Sequence, residues 1–151
     1  ATQWSYNDFH SRKDSIFRIV VTEGDGNYET YLPPGYAAII ENNFDQVESV
    51  NRIAGGIGSG LIAVPDTDLA FTEERVNYVE GGFFQAFSFP VKSGSADLNA
   101  PNTVVLSEEI AQKLFGSEDP IGKIFTLSNQ FGKTELTVTG VIEPNSERSD
   151  L

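Results

Sequence analysis

The chain has 151 residues, with 22 Asp and Glu against 10 Lys and Arg and one His, for a formal net charge of −12. Nucleic acid is excluded as a ligand class on charge, because phosphate-backbone binding needs a basic footprint that this composition does not supply. The absence of Cys excludes disulfides, thiol nucleophiles and cysteine zinc sites, while 39% hydrophobic and 11% aromatic residues are enough to bury the core of one ordinary domain.

In chain order, Ser5-x-x-Asp8 is a capping box, and Tyr6, Phe9, Lys13 and Ile16/Phe17 follow at spacings of three to four, which predicts a short amphipathic helix to about residue 14. Residues 16–22 switch to a β-rich run, Glu23-Gly-Asp-Gly-Asn27 is a turn by composition, and residues 28–32 alternate, so this pair predicts a β-hairpin. Pro33-Pro34 opens a second helix, whose Tyr36, Ile39, Ile40 and Phe44 share a face and whose end frays at Asn42-Asn43. Residues 47–54 alternate as a strand. Gly55-Gly-Ile-Gly-Ser-Gly60 then places four glycines in six residues and is expected to be the most mobile loop.

Residues 61–64 and 71–79 predict strands on either side of Pro65-Asp-Thr-Asp68, and residues 82–87 a short helical turn. Phe83, Phe84, Phe87 and Phe89 read as core, since aromatics at helical spacing pack inward by default. Residues 102–106 predict a strand that leads into the clearest helix of the chain. Ser107 is its N-cap, Glu108 and Glu109 occupy its first turn, Lys113 lies near its negative end, Gly116 follows it, and Ile110, Ala111, Leu114 and Phe115 form its buried face. Asp119-Pro-Ile-Gly122 is a turn, 123–127 a strand, Phe131-Gly-Lys133 a loop and 134–142 a strand with a bulge expected at Gly140. The fold class is therefore α+β, with mostly antiparallel sheets and three to four short helices.

No constellation supports catalysis, a cofactor or a metal. Gly116-Ser-Glu-Asp-Pro-Ile-Gly122-Lys123 ends like a phosphate-binding loop, but five residues separate its glycines instead of four, Ile124 stands where a magnesium-binding hydroxyl is needed, and Glu118 and Asp119 would repel phosphate. The glycines of 55–60 miss the dinucleotide fingerprint at Leu61. His10, the only imidazole, is near Ser5, Ser11 and Ser15, none of which sits in a nucleophile elbow, so it reads as a surface residue. Asp66/Asp68 and Glu73/Glu74 are carboxylate pairs, which suit glycoside chemistry or calcium only in a geometry that this spacing does not specify. The densest acidic clusters, Glu73–Glu74, Glu108–Glu109 and Glu118–Asp119, read as solvated surface.

No apolar run approaches the about 20 residues that span a bilayer, and the first ten residues lack the basic and apolar regions of a signal peptide. The chain is thus expected to be soluble as it stands. It starts without Met, which is expected of an excised piece or a processed product.

Tyr6-x-x-Phe9-His10-x-x-x-Asp14-x-Ile16-Phe17-Arg18-Ile19 begins a series of blocks. It continues through Tyr78-Val79-Glu80, Phe83-Phe84-x-x-Phe87-Ser88-Phe89-Pro90 and Pro101-Asn102-x-Val104-Val105-Leu106-Ser107. Ala111-x-Lys113-Leu114-Phe115-Gly116, Asp119-Pro120-Ile121-Gly122-Lys123, and Thr137-Val138-x-Gly140-Val141 with Pro144-Asn145-Ser146 complete it. In this order the series resembles the MacB-like periplasmic core domain of ABC-transporter permeases in the FtsX-like family. The resemblance implies a two-lobed extracytoplasmic loop between the first two membrane helices, on the periplasmic side of the cell inner membrane. A membrane-proximal, porter-like αβ lobe would comprise residues 1–51 and 137–151, and an inserted, mainly β lobe residues 52–136. Because the family pattern runs past Leu151, the first lobe is expected to be incomplete here.

The function so implied is non-catalytic: coupling ATP hydrolysis by a cytoplasmic ATPase to export or membrane extraction of a substrate. The implied partners are the permease membrane helices, that ATPase subunit or domain, and a periplasmic adaptor or second permease copy. The competing classes are a free-standing extracellular binding or interaction module, and a hydrolase that would need His10 beside a serine and an acid.

Overall fold

The computed structural model describes residues 21–22, 28–29, 33 and 35–143. The expected first helix, most of the first hairpin and the segment after residue 143 lie outside them. Strands β1 (Val21–Thr22) and β2 (Tyr28–Glu29) pair antiparallel, as the hairpin reading requires. Helix α1 (Gly35–Asn43) follows the two prolines. At its end the Asn42 and Asn43 side-chain amides each donate back to a carbonyl four residues earlier, Ala38 and Ile39, at 2.7 Å.

The strand expected over residues 47–54 shrinks to β3 (Ile53–Ala54). The reason is local competition for backbone donors. Val47 N–H donates to the Phe44 carbonyl at 2.9 Å and Val50 N–H to the Glu41 carboxylate at 3.0 Å, so these donors serve the helix end and are not free for a ladder. Strands β4 (Gly60–Ala63) and β5 (Ala70–Glu73) form a hairpin. The run expected over 71–79 also divides, because the Glu73 carboxylate accepts from Arg75 N–H at 2.9 Å and turns the chain out of the sheet. The chain resumes extended form as β6 (Tyr78–Val79), which pairs with β3 in a small separate sheet.

Helix α2 (Phe83–Ala86) is a single turn, and β7 (Val91–Gly94) is a strand that the sequence pattern did not predict. Strand β8 (Thr103–Ser107) runs into α3 (Glu108–Phe115). Ser107 is extended at φ −69° and ψ 155°, and its Oγ accepts from Ile110 N–H at 3.3 Å. At the other end Gly116 takes φ +59° and returns its N–H to the Gln112 carbonyl at 2.8 Å, a conformation that a side chain would strain. Strand β9 (Ile124–Asn129) turns through two residues into β10 (Gly132–Ile142), so the loop expected at 131–133 is already strand from Gly132.

The main sheet runs β5-β4-β9-β10-β7, with β8 also on β10. Every pairing in it is antiparallel except β8 with β10. β10 pairs with β9 over its first half and with β7 over its end, while β8 lies along its other side. The expected bulge is present: Val138 faces Val104 and Gly140 faces Val105, leaving Thr139 as the extra residue. A side chain at Gly140 would run into the Ser95 carbonyl, so close backbone approach requires glycine there.

Helix α3 covers one face of this sheet. Ala111 and Leu114 from the helix pack with Ile62, Leu106, Phe125, Leu127, Val138 and Val141 from the strands, and Phe125 and Val138 are 2% and 1% exposed. Alternation along each strand explains the selection. Ile62 faces Phe71 and Leu127 on the covered side, and its neighbour Leu61 faces Thr72 and Ser128 on the open side, where Leu61 is 46% exposed. The four phenylalanines form a second nucleus apart from this core. Phe83 is buried, and its ring lies 4.9 Å from Phe84, 4.8 Å from Phe87 and 5.9 Å from Phe89.

Candidate interaction surfaces

His10 and its neighbouring serines lie outside the described residues. The acidic pairs do not come together as sites. Glu73 is buried beside Arg75, whereas Glu74 is exposed. Burial pushes the Glu73 carboxyl up, but hydrogen bonds from the Arg75 backbone and side chain, with the charges of Arg75 and Lys113, bring it below the usual range. Asp66 and Asp68 belong to the β4–β5 turn, where Asp66 has φ +60° and Thr67 Oγ1 donates to the Val64 carbonyl at 2.9 Å. Among the described residues no group of three or more His, Asp or Glu is placed to hold a metal.

The Gly116–Lys123 stretch is a helix end followed by a turn. Gly122 takes φ +80°, Asp119 Oδ1 accepts from Ile121 N–H at 3.0 Å, and Lys123 Nζ is engaged by Glu118. The lysine that would have met a phosphate thus neutralises a neighbouring carboxylate, holding Glu118 below its usual range.

The glycine-rich loop is pinned where mobility was expected. Gly56 N–H donates to Asn77 Oδ1 at 3.1 Å, and Ser59 Oγ donates to the Gly56 and Glu74 carbonyls. Across the sheet, Asn129 Nδ2 reaches the Gly58 carbonyl and Gln130 Nε2 the Ile57 carbonyl, both at 3.1 Å. Gly58 is buried, and a Cβ there would come within 2.6 Å of the Val76 side chain. The glycines therefore serve close packing, with Gly56 alone needing its positive φ of 73°.

Four surface features remain. The tip beside this loop is apolar: Ile53, Ile57, Tyr78 and Phe131 are 36%, 44%, 42% and 63% exposed. The Tyr78 and Phe131 rings meet edge to face at 5.8 Å, and Asn129 Nδ2 donates to Tyr78 Oη at 2.9 Å, which fixes the patch. Helix α1 buries none of its residues; Tyr36 and Ile39 are 45% and 56% exposed. An open groove of about 410 Å³ lies at the β10 bulge, lined by Ser95, Asp97, Ile121, Thr137 and Thr139 among others. Its rim is tied by Thr139 Oγ1 donating to the Asp97 carbonyl at 3.0 Å. Between the small sheet and α2, Arg52 Nε and Nη2 grip the Glu80 carboxylate, which also accepts Arg52 N–H at 2.9 Å. These hydrogen bonds hold the Glu80 carboxyl below its usual range. Apart from the apolar face of α1, which the sequence pattern marks, these features were not legible in the sequence, because their members are distant along the chain.

A family model described as MacB-like periplasmic core domain matches residues 1–151. Among solved structures, the periplasmic region of MacB from Actinobacillus actinomycetemcomitans is similar at a TM-score of 0.59 and 21% identity, over 75% of this chain and 51% of that one. A domain of a putative permease protein from Porphyromonas gingivalis is similar at a TM-score of 0.61 and 20% identity, over 78% of this chain and 54% of that one. The chain thus matches about half the length of each. No curated protein matches it. At these identities the structural likeness bears on the fold, and it agrees with the α+β, mostly antiparallel reading. No helix among the described residues is long and apolar enough to cross a membrane.

Proposed function

Because the chain belongs to the MacB-like periplasmic core domain family, we propose that it is a periplasmic segment of an ABC-transporter permease of the cell inner membrane, and that it takes part in coupling ATP hydrolysis to export or membrane extraction of a substrate. The observation that carries this reading is the family match along the whole chain. The domain itself does no covalent chemistry in this scheme. Its partners are the membrane helices of the same permease and a cytoplasmic ATPase, with a periplasmic adaptor or second permease copy as a further contact. The exposed apolar tip at Tyr78 and Phe131 supports a contact role, since a fixed apolar patch on a surface is stabilised by being covered.

The chain also divides, on this reading, into a membrane-proximal lobe that includes residues 1–51 and 137–151 and an inserted lobe of residues 52–136. β10 would then be the strand shared by both, since it crosses residue 137 without a break. Displacement of one lobe against the other is how closure at the ATPase would become movement outside the membrane. The test is an engineered disulfide that locks the two lobes in the full-length permease, reconstituted with its ATPase. Export and nucleotide-dependent turnover should fall on oxidation and recover on reduction. Unchanged export in the locked state would overturn the moving role.

A further inference from the structure

Among the described residues, strand β10 is an inner strand along its second half and an edge along its first. Residues 132–137 face β9 on one side. On the other side β8 begins at Thr103, opposite Thr137, so residues 132–136 meet no strand there among the described residues. Gly132, Lys133, Thr134 and Glu135 are all exposed. Thr137 N–H points across this open side, donating to the Asn102 carbonyl at 2.9 Å. Backbone groups alternate direction along a strand, so Lys133 and Glu135, four and two residues earlier, also turn their N–H and C=O groups to the open side.

The two side chains carry a second observation. Lys133 and Glu135 lie on the same face, opposite Ser128 and Thr126 of β9. Among the described residues Arg52, Arg75, Lys92 and Lys123 all hold a carboxylate, and Lys113 sits over the Phe71 ring. Lys133 is the one described cation with neither kind of partner. An edge strand with unpaired backbone and a free lysine is usually guarded against strand addition. Here the guard is selective, because the sequence Lys133-Thr134-Glu135 is its own charge complement when reversed.

We propose that this edge pairs with the same edge of a second copy of the chain, antiparallel and centred on Thr134, so that Lys133 of each copy lies opposite Glu135 of the other. In that register each Lys133–Glu135 pair exchanges its backbone hydrogen bonds and matches charges on the same face. Shifting the register by two residues either way, the next step that keeps the hydrogen-bonded alternation, places Lys133 opposite Lys133 or Glu135 opposite Glu135, and parallel in-register pairing stacks like on like. The overlap ends where the hairpin turn of one copy reaches Asn102 of the other, which limits it to residues 132–136. The result is an isologous contact that continues the sheet β5-β4-β9-β10 into its symmetry mate. Because each chain carries a net charge of −12, the pairing is weak between free chains and strengthens where copies are held side by side.

The chain has no cysteine, which makes a trapping experiment clean. Thr134 occupies a non-hydrogen-bonded position at the two-fold axis, where opposing Cα atoms are about 4.5 Å apart, within reach of a disulfide. Thr134→Cys, treated with diamide, should dimerise at least about tenfold faster than Thr72→Cys on the exposed β5 edge at the same concentration. In the Thr134→Cys background, Lys133→Glu or Glu135→Lys alone should slow the trap by about tenfold, since each sets like charges opposite. The double reversal should restore it. A Thr134→Cys rate no greater than that of Thr72→Cys, or single reversals without effect, or a double reversal that does not recover, would each overturn the proposal.

Discussion

Helices α1 and α3 are nearly equal in length, nine and eight residues, and they behave in opposite ways. α3 has a serine cap, two glutamates in its first turn, a lysine in its last, and a sheet beneath Ala111 and Leu114. α1 has no acidic residue in its first turn, no basic residue in its last and no buried side chain, although its stripe of Tyr36, Ile39 and Ile40 is as apolar as that of α3. A nine-residue helix is marginal on propensity alone. What separates the two is the surface each is given to cover: α3 is held by the sheet, whereas α1 presents apolar area that the described residues leave open.

The largest break in this comparison should come from the core under α3. Phe125→Ala should cost about 3–5 kcal/mol and Leu114→Ala about 2–5 kcal/mol, read from urea unfolding of the chain followed by circular dichroism. An equal loss for Ile39→Ala on α1 would erase the distinction between the helices. Ser107→Ala should cost about 1 kcal/mol by removing the oxygen that accepts Ile110 N–H, while Ser107→Asn should keep most of the stability.

Acid sharpens the contrast further. Glu73 and Glu80 are held below the usual carboxyl value of 4.5, so the unfolded chain binds more protons than the folded one in that range. Their contribution is whole above about pH 4.5 and is lost as the pH falls through their folded values. Glu80→Gln should remove its share of that slope, measured as the urea midpoint between pH 6 and pH 3. Its effect at neutral pH should be below about 1 kcal/mol, because the Arg52 side chain is 53% exposed and the Glu80 side chain 35%. The smallest effect should be at α1: Ile39→Ser should change the stability of the chain by less than about 0.5 kcal/mol. In the full-length permease the same substitution should lower export if α1 docks against another part of the parent, and export at the wild-type level would mean that its apolar face is idle.

The legible parts of the fold are those written in neighbouring residues. The cap, charges and terminal glycine of α3 are local chemistry, and each stands where Ser107, Glu108, Lys113 and Gly116 predict it. The β4–β5 and β9–β10 hairpins follow from alternation. β7 was missed because Val91-Lys-Ser-Gly94 has no apolar alternation, and it becomes a strand only because Ser95 N–H and the end of β10 are there to pair with it. The break between β5 and β6 depends on one carboxylate turning back to Arg75, which β propensity does not register. Glycine content likewise marks the 55–60 loop without saying whether it moves or packs; contacts from Asn77, Asn129 and Gln130 decide that, and they come from 21 to 73 residues away. Lys133 and Glu135 drew no notice in the sequence, since their placement matters only once β8 is seen to begin at Thr103, opposite Thr137.

Strand β10 finally has a mechanical meaning. Its end, from Thr137 to Ile142, is bonded to β8 on one flank and, over Gly140 to Ile142, to β7 on the other. A tension applied to the chain at Glu143 runs along the strand axis, so it loads these hydrogen bonds in shear and together. A tension applied across the sheet at β5 would instead peel its pairing with β4 one bond at a time. The domain is therefore stiff along β10 and soft at its β5 margin, and a pull arriving through residue 143 would displace the α3-covered body as a whole before it unravelled any strand.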